Sequence, residues 1–427
     1  MQRLKGQTAL GSLQWFVFLL SSSLAIPIVI GQTFQLSAQE TAELMQRTFF
    51  VVGIASFLQG WLGHRLPIAD GPAGVWLGIF VILGGTVGLD SGAMLQSLEG
   101  SMLIAGLVLF LMGITGLIRR MMTLFTPLVT GVYLLLLVFQ LSGVFLEGMI
   151  GLGADGLDSV SALLSFGVLI LIIFISVKGK GSLKDYSVLL GILVGWTAFA
   201  WAGRLPESPQ SEGWIRLPEL FAWGVPRLEG GMVITGLLIA FVLMSNLVAT
   251  VAAGEQVIGR RPEEARRALD QGGIWNGVAN GLAALFSTVG TIPLSSSAGF
   301  VRLTGLKKLR PFLIGCLVMV GVSLFPPLMS FLAGLPEPVA DAALLASFLQ
   351  IVSIAVGNIT REPLDDRRNT ILGISLMIGV GIMFVPSTAF ASLPSVLQFT
   401  LGNGLLTGTF LAILMERLWR GKKNESP

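Results

Sequence analysis

Histidine and cysteine each occur once in 427 residues, and charged side chains make up only 12% of them. The single cysteine, Cys316, excludes an intrachain disulfide and a cysteine-ligated metal cluster. Inside the apolar run Phe312 to Leu324 it is expected to pack as a small hydrophobe. The lone histidine, His64, stands beside Arg65 where an apolar run ends, so it reads as a loop residue rather than a proton relay. Charge is about half as frequent as in a soluble domain, and no stretch is polar enough to form one. A cleavable leader is also missing: Arg3 and Lys5 precede an apolar run, Leu13 to Ile30, that is long enough to span a bilayer and is expected to be kept. The net charge of +3 carries no sign of a nucleic-acid partner. No metal site or cofactor is expected.

What is present is apolar surface. With 53% hydrophobic residues, 54 glycines and a mean hydropathy of +0.82, the chain is a polytopic, all-α membrane protein. Runs near spanning length number about fourteen: 12-30, 47-63, 67-84, 101-118, 123-143, 160-177, 187-203, 232-253, 273-288, 290-303, 310-331, 338-357, 370-386 and 396-416. With the N-terminus inside, all of the 27 basic residues except Arg47, Arg204, Arg216 and Arg227 fall in inner loops and tails, as positive-inside topology requires. Both termini are then cytoplasmic. The long connection 204-231 carries Pro206, Pro209, Pro218 and Pro226 and leaves seven segments on either side. An odd number per half makes the second half enter from the opposite face, an inverted repeat. The domains follow as 1-203, the external loop 204-231, and 232-427.

Two segments are broken. Leu66 to Gly78 reads L-P-I-A-D-G-P-A-G-V-W-L-G, and Gly290 to Gly299 reads G-T-I-P-L-S-S-S-A-G. Asp70, Gly71, Pro72 and Gly74 cannot all sit in one continuous helix, and opened backbone survives at membrane depth only where protein or a wet cavity covers it. These are the third segments of their halves, and paired interruptions of this kind mark a transporter's midplane site. Extended backbone is expected at Asp70 to Gly74, including Ala73, and at Thr291 to Ser297. The half-helix N-termini beyond would offer free N–H groups to an anionic or carbonyl-rich solute.

Asp70 is a candidate ion-coupling carboxylate; the alternative is a helix cap or an ion pair with Arg65 or Arg119. Ser295, Ser296 and Ser297 offer hydroxyls to a ligand, or simply satisfy opened backbone. In the eighth segment Ser245, Asn246 and Thr250 interrupt an apolar helix; Asn246 either reads a polar ligand edge or binds across helices. Glu255 is a second ion-coupling candidate, with an interfacial ion pair near Arg260 and Arg261 as its alternative. Gln14 and Trp15 precede Ser21, Ser22, Ser23 and Pro27 in the first segment. Trp15 stacks on a planar ligand or anchors the interface.

The stretches L-Q-W-F-V-F-L-L-S-S-S-L-A-I-P, G-H-R-L-P-I-A-D-G-P-A-G-V-W, L-F-T-P and G-N-G-L-L-T-G resemble the nucleobase:cation symporters, the uracil/xanthine permease and nucleobase-ascorbate transporter family, nearest its bacterial purine/pyrimidine permeases. The resemblance covers essentially the whole chain. It implies two inverted seven-segment repeats, a core from segments 1-4 and 8-11, a gate from segments 5-7 and 12-14, frequent dimers, and short strands in segments 3 and 10 beside the substrate. Gln14 then matches the first-segment glutamine, Trp15 stands where many members have histidine, and Gly71 to Val75 fall on the third-segment strand. The family's base-binding glutamates of segments 8 and 10 are replaced, at the best register, by Ser245 or Asn246 and by Ser296 or Ser297. That departure leaves open a substitution by Asp70, a different ion, or uncoupled transport.

The expectation is a bacterial inner-membrane transporter, not an enzyme, that imports a purine or pyrimidine base by alternating access with a proton or sodium ion. Its partners would be the nucleobase, the coupling ion, the lipid bilayer and a possible second copy of the chain. A small-anion transporter of the same seven-plus-seven fold, or a membrane-embedded enzyme, are the alternatives.

Overall fold

The computed structural model describes residues 2–84, 90–118, 126–152, 156–180, 182–206, 213–258, 262–386, 389 and 401–419. Of the positions read above, Pro209, Arg119, Arg120, Arg260, Arg261, Arg420, Lys422, Lys423 and the first residues of segments 123-143 and 396-416 lie outside them.

Among the described residues fourteen segments follow one another, several of them started by a local signal. α1 (Gln2–Ser23) and α2 (Ala25–Thr33) form the first, broken at Leu24. A Ser37/Glu40 capping box opens α3 (Ala38–Trp61) by satisfying two helix-end donors at once. β1 (Asp70–Pro72) leads into α4 (Gly74–Gly84). Asp90 caps α5 (Ser91–Thr115), which Gly116 ends in the left-handed conformation, φ 62°. Thr126 and Pro127 start α6 (Pro127–Met149), and Asp158 starts α7 (Ser159–Lys178). α8 (Ser187–Trp201) closes the first half; α9 (Gly230–Ile258) and α10 (Pro262–Leu285) open the second. β2 (Thr291–Pro293) leads into α11 (Ser296–Thr304). Then come α12 (Leu309–Ser323), α13 (Pro326–Ala333), α14 (Glu337–Ile359), α15 (Asp366–Met383) and α16 (Gly404–Leu418).

Six of the described helices or helix pairs are by themselves long and apolar enough to cross a membrane. The run expected at 310-331 is not one straight span, because α13 turns 87° away from α12. Pro326 and Pro327 have no N–H to continue the α12 ladder, so a new helix starts there.

Contacts gather into two sets. In one, α5 packs on α9 and α10, and α12 packs on α1 and α3; in the other, α14 lies on α6 and α7, with α15 and α16 against each other and against α6. The two sets meet where α2 touches α14 and α4 touches α6. Small residues set the closest approaches: a Cβ on Gly106 of α5 would come 2.7 Å from the Gly277 carbonyl of α10, and one on Gly113 would come 2.6 Å from the Ile274 nitrogen.

One position corrects the sequence reading. Arg47, expected in an outer loop, is buried within α3, where its Nε donates to the Ser287 carbonyl at 3.1 Å. The described part of the connection after α8 is fastened down: the Phe221 N–H bonds the Leu285 carbonyl at 2.8 Å, the Arg227 N–H bonds the Gln96 carbonyl at 3.0 Å, and Gln46 donates to the Arg216 carbonyl at 2.7 Å.

Candidate functional site

β1 and β2 pair antiparallel, with Asp70 opposite Pro293, Gly71 opposite Ile292 and Pro72 opposite Thr291. Both strands are buried along their whole length. Two further backbone bonds extend the ladder, Ala73 N–H to the Gly290 carbonyl at 2.9 Å and Leu294 N–H to the Ala69 carbonyl at 2.8 Å. Each strand is three residues long, shorter than the extended stretches expected over Asp70 to Gly74 and Thr291 to Ser297. Pro72 brings no N–H to lengthen β1, Gly74 and Val75 already belong to α4, and Ser296 and Ser297 belong to α11. Because the strands are antiparallel, α4 and α11 leave the crossing in opposite directions. At 11 and 9 residues they reach only about 16 and 13 Å, half of a bilayer's hydrocarbon thickness. Two helix N-termini therefore lie at the strand crossing; at α11 the Ser297 and Ala298 N–H groups already bond the Leu294 and Ser295 carbonyls, at 3.0 and 3.2 Å.

Neighbouring helices satisfy the opened backbone. Ser56 Oγ of α3 accepts the Asp70 N–H at 2.9 Å and donates to the Asp70 carbonyl at 3.3 Å. Ser297 Oγ accepts the Ala69 N–H at 3.1 Å. Thr250 Oγ1 of α9 reaches the Pro293 carbonyl at 3.4 Å and also bonds Asn246 Oδ1 at 3.1 Å. Asn280 of α10 donates to the Thr291 carbonyl at 3.1 Å and accepts from the Trp76 indole N–H at 3.0 Å. Gly290 sits so close to those two side chains that a Cβ there would overlap both.

Asp70 is fully buried, and among the described residues neither of its carboxylate oxygens has a hydrogen-bond partner. It therefore does not cap α4 and makes no hydrogen-bonded pair with Arg65. A charge buried without partners must be compensated, by a proton or by a cation beside it. Ser295 and Ser296 are half-buried at the start of α11. Ser245 meets Thr130 of α6, hydroxyl to hydroxyl at 3.3 Å, across the line where the two helix sets touch.

The remaining candidates lie around this centre. α1 packs against β1, and Gln14 on α1 is half-buried, its carbonyl accepting the Tyr186 hydroxyl at 3.5 Å. Trp15 is completely buried, with ring centroids 4.6 Å from Phe300, 4.9 Å from Phe312 and 5.6 Å from Phe18. This packing, not an interfacial anchor, is its place in the fold. Glu255 stands about 13 Å farther along α9 than Asn246, beside Gly254, whose Cβ would come 2.7 Å from Ile68. Cys316 is buried, as expected, and His64 is buried with its Nδ1 accepting the Leu66 N–H at 3.1 Å. Ser56, Trp76, Thr130, Asn276 and Asn280 do not stand out in the sequence as site residues. Two asparagines one helical turn apart in an apolar run were the available signal; a lone serine in α3 gave none.

Two half-helices converging on a covered strand pair, one from each half, define a membrane transporter of the broken-helix class. The xanthine/uracil permease model, described as "Permease family", matches residues 6–388, and the chain belongs to that family. It is 35% identical to "Putative purine permease YwdJ" of Bacillus subtilis over 98% of this chain and 97% of that protein. It is 26% identical to "Uric acid permease PucK" of the same organism, over 97% and 96%. It is 28% identical to "Xanthine permease XanP" of Escherichia coli, over 98% and 93%. Among solved structures, the transmembrane domain of the cyanobacterial bicarbonate transporter BicA shares the fold at 15% identity, with a TM-score of 0.62 over 94% of this chain and 97% of that one. Murine Slc26a9 does so at 12% identity, with a TM-score of 0.62 over 96% and 67%.

Proposed function

We propose that this protein is a secondary transporter that imports a purine or pyrimidine base by alternating access, coupled to a cation at Asp70. The observation that carries the reading is the pairing of β1 with β2 at a buried carboxylate that no described residue hydrogen-bonds. The relatives' names, which specify purine, uric acid and xanthine permeases, support a nucleobase as the solute. The set holding α1 to α5 and α9 to α13 is the core, and the set holding α6 to α8 and α14 to α16 is the gate; the core moves against the gate along the contacts of α2 with α14 and α4 with α6. The two repeats are 1-203 and 232-427, joined by the external loop 204-231. Both termini are cytoplasmic in a bacterial inner membrane, and two copies of the chain form the transporting dimer.

The base lies against the strand crossing, where N–H groups at the starts of α4 and α11 and the hydroxyls of Ser295 and Ser296 face its polar edge. Ser297, Asn246 and Ser245 shape that niche through the bonds they already make. Uptake of labelled uracil, xanthine, guanine and adenine into cells lacking their own base permeases tests the reading. Saturable uptake of at least one base, competed by unlabelled base and not by bicarbonate or sulfate, is expected; uptake of none rejects the substrate class.

A further inference from the structure

On α6, one helical turn beyond Thr130, lies Tyr133. Thr130 meets Ser245 of α9 at 3.3 Å, and Val242 is one turn from Ser245 on α9. Residues three apart share a helix face, so Tyr133 and Val242 form the next rung of the same contact. There they line a pocket, closed by Ile79 of α4, Ile239 of α9, and Leu405 and Thr409 of α16. Every element bordering it is one the transport cycle uses: α4 starts at the end of β1, α9 carries Ser245 and Asn246, and α6 and α16 belong to the opposing set.

The pocket wall is apolar apart from two hydroxyls. Thr409 spends its own on the Leu405 carbonyl, 2.7 Å away in the same helix. Tyr133 is 3% exposed, and among the described residues its hydroxyl has no hydrogen-bond partner. An unsatisfied buried hydroxyl is destabilising, because it gives up its bonds to water and gains none in return. Phenylalanine would fill the same space without that cost, so the oxygen is not explained by packing. It is also not explained by the interface, since a phenol pairs with another residue wherever a wet or polar neighbour allows it.

We propose that Tyr133 is a specificity-determining residue, whose O–H donates to a carbonyl or ring-nitrogen acceptor of the carried heterocycle from the side opposite the strands. The inference rests on the nucleobase reading above. It adds a donor from the gate to a site whose strands, half-helix ends and serines belong to the core, so one ligand contact changes as the two sets move past each other.

The test is Tyr133→Phe, which removes one oxygen. With wild type taking up xanthine, Tyr133→Phe raises KM for it about tenfold while kcat changes less than twofold, because a polar site that loses its partner discriminates by binding. Hypoxanthine, which lacks one carbonyl of xanthine, and adenine, which has none, identify the acceptor: for the base without it, wild type and Tyr133→Phe have equal KM. Purified Tyr133→Phe melts at or above the wild-type temperature without base and shows a smaller upward shift with 1 mM xanthine. A lower melting temperature without base, or wild-type KM for every base, overturns the proposal. If Tyr133→Phe does not accumulate, Tyr133→His keeps a donor and Tyr133→Met does not; equal base-dependent melting shifts in the two overturn it. Wild type that takes up no base removes the substrate class and this role together, whereas uptake with an indifferent Tyr133→Phe removes this role alone.

Discussion

Ser297, in the second half of the chain, accepts the backbone N–H of Ala69, in the first half, at 3.1 Å. A side chain counted from sequence as a ligand contact thus does what opened backbone in a membrane demands first: it takes up a donor that no water can reach. Ser297→Ala leaves that N–H unpaired at a cost of about 1–3 kcal/mol. The expected result is a lower melting temperature in detergent and reduced uptake, with Ser297→Thr restoring part of both. Unchanged melting would show that another group serves the Ala69 N–H.

Gly290 tests the strand pair from the opposite side. Its position against Trp76 and Asn280 leaves no room for a methyl group, and those two side chains hold the Thr291 carbonyl and the start of α4. Gly290→Ala should lower uptake at least tenfold, or prevent accumulation of folded protein. Gly281, the residue after Asn280 on α10, has open space where a Cβ would stand, with no atom within 4 Å. Gly281→Ala should therefore be neutral or slightly stabilising, by up to about 1 kcal/mol. Equal effects in the two variants would rule out the close approach.

The coupling role proposed for Asp70 is tested by removing its titration. Asp70→Asn keeps its size and removes its titration. In proteoliposomes it should abolish the stimulation of uptake by an inward proton or sodium gradient, while base exchange at equal ion concentrations persists within severalfold. Gradient-driven accumulation surviving in Asp70→Asn would move the coupling elsewhere.

Arg47 and Glu99 converge on one residue. Arg47 Nε donates to the Ser287 carbonyl at 3.1 Å, and Ser287 Oγ donates to Glu99 Oε1 at 2.5 Å, both within buried structure. Ser287 itself has φ 48°, a left-handed conformation costly for any residue but glycine. It lies just before β2, where Thr48 and Thr288 also meet at 2.6 Å. Removing either end leaves a buried polar group of this network unpaired, at a cost of about 1–3 kcal/mol. Arg47→Met and Glu99→Gln should each lower the melting temperature, and the double variant should lower it by less than the sum. Strict additivity would mean that the two do not share a network.

The segments and both breaks were legible because proline, glycine and a carboxylate interrupt apolar runs in only a few places. What stayed hidden was polar residues turned inward. Gln96, Ser97 and Glu99 made the start of α5 look like a loop, so the segment read from 101 begins at Ser91. Arg47 misled in the same way. Pro262 starts α10 eleven residues before the apolar run read from 273, since its first turns are charged. The site was legible as two stretches but not as a set of partners: Trp76 and Asn280 are 204 positions apart, and pairing at that separation leaves no periodic trace. Trp15 reads in sequence as a ring near an interface, and only packing against Phe300 and Phe312 reveals it as buried.

Since β1 and β2 come from opposite halves of the polypeptide, the niche cannot exist while the ribosome is still making the first half. Until Thr291 to Pro293 arrives, the edge of Asp70 to Pro72 has no strand to pair with, and Ser56, which bonds the Asp70 N–H and carbonyl, is the partner already in place. Two separately synthesised fragments, cut within 204–231, should regain uptake only when both are inserted in the same membrane.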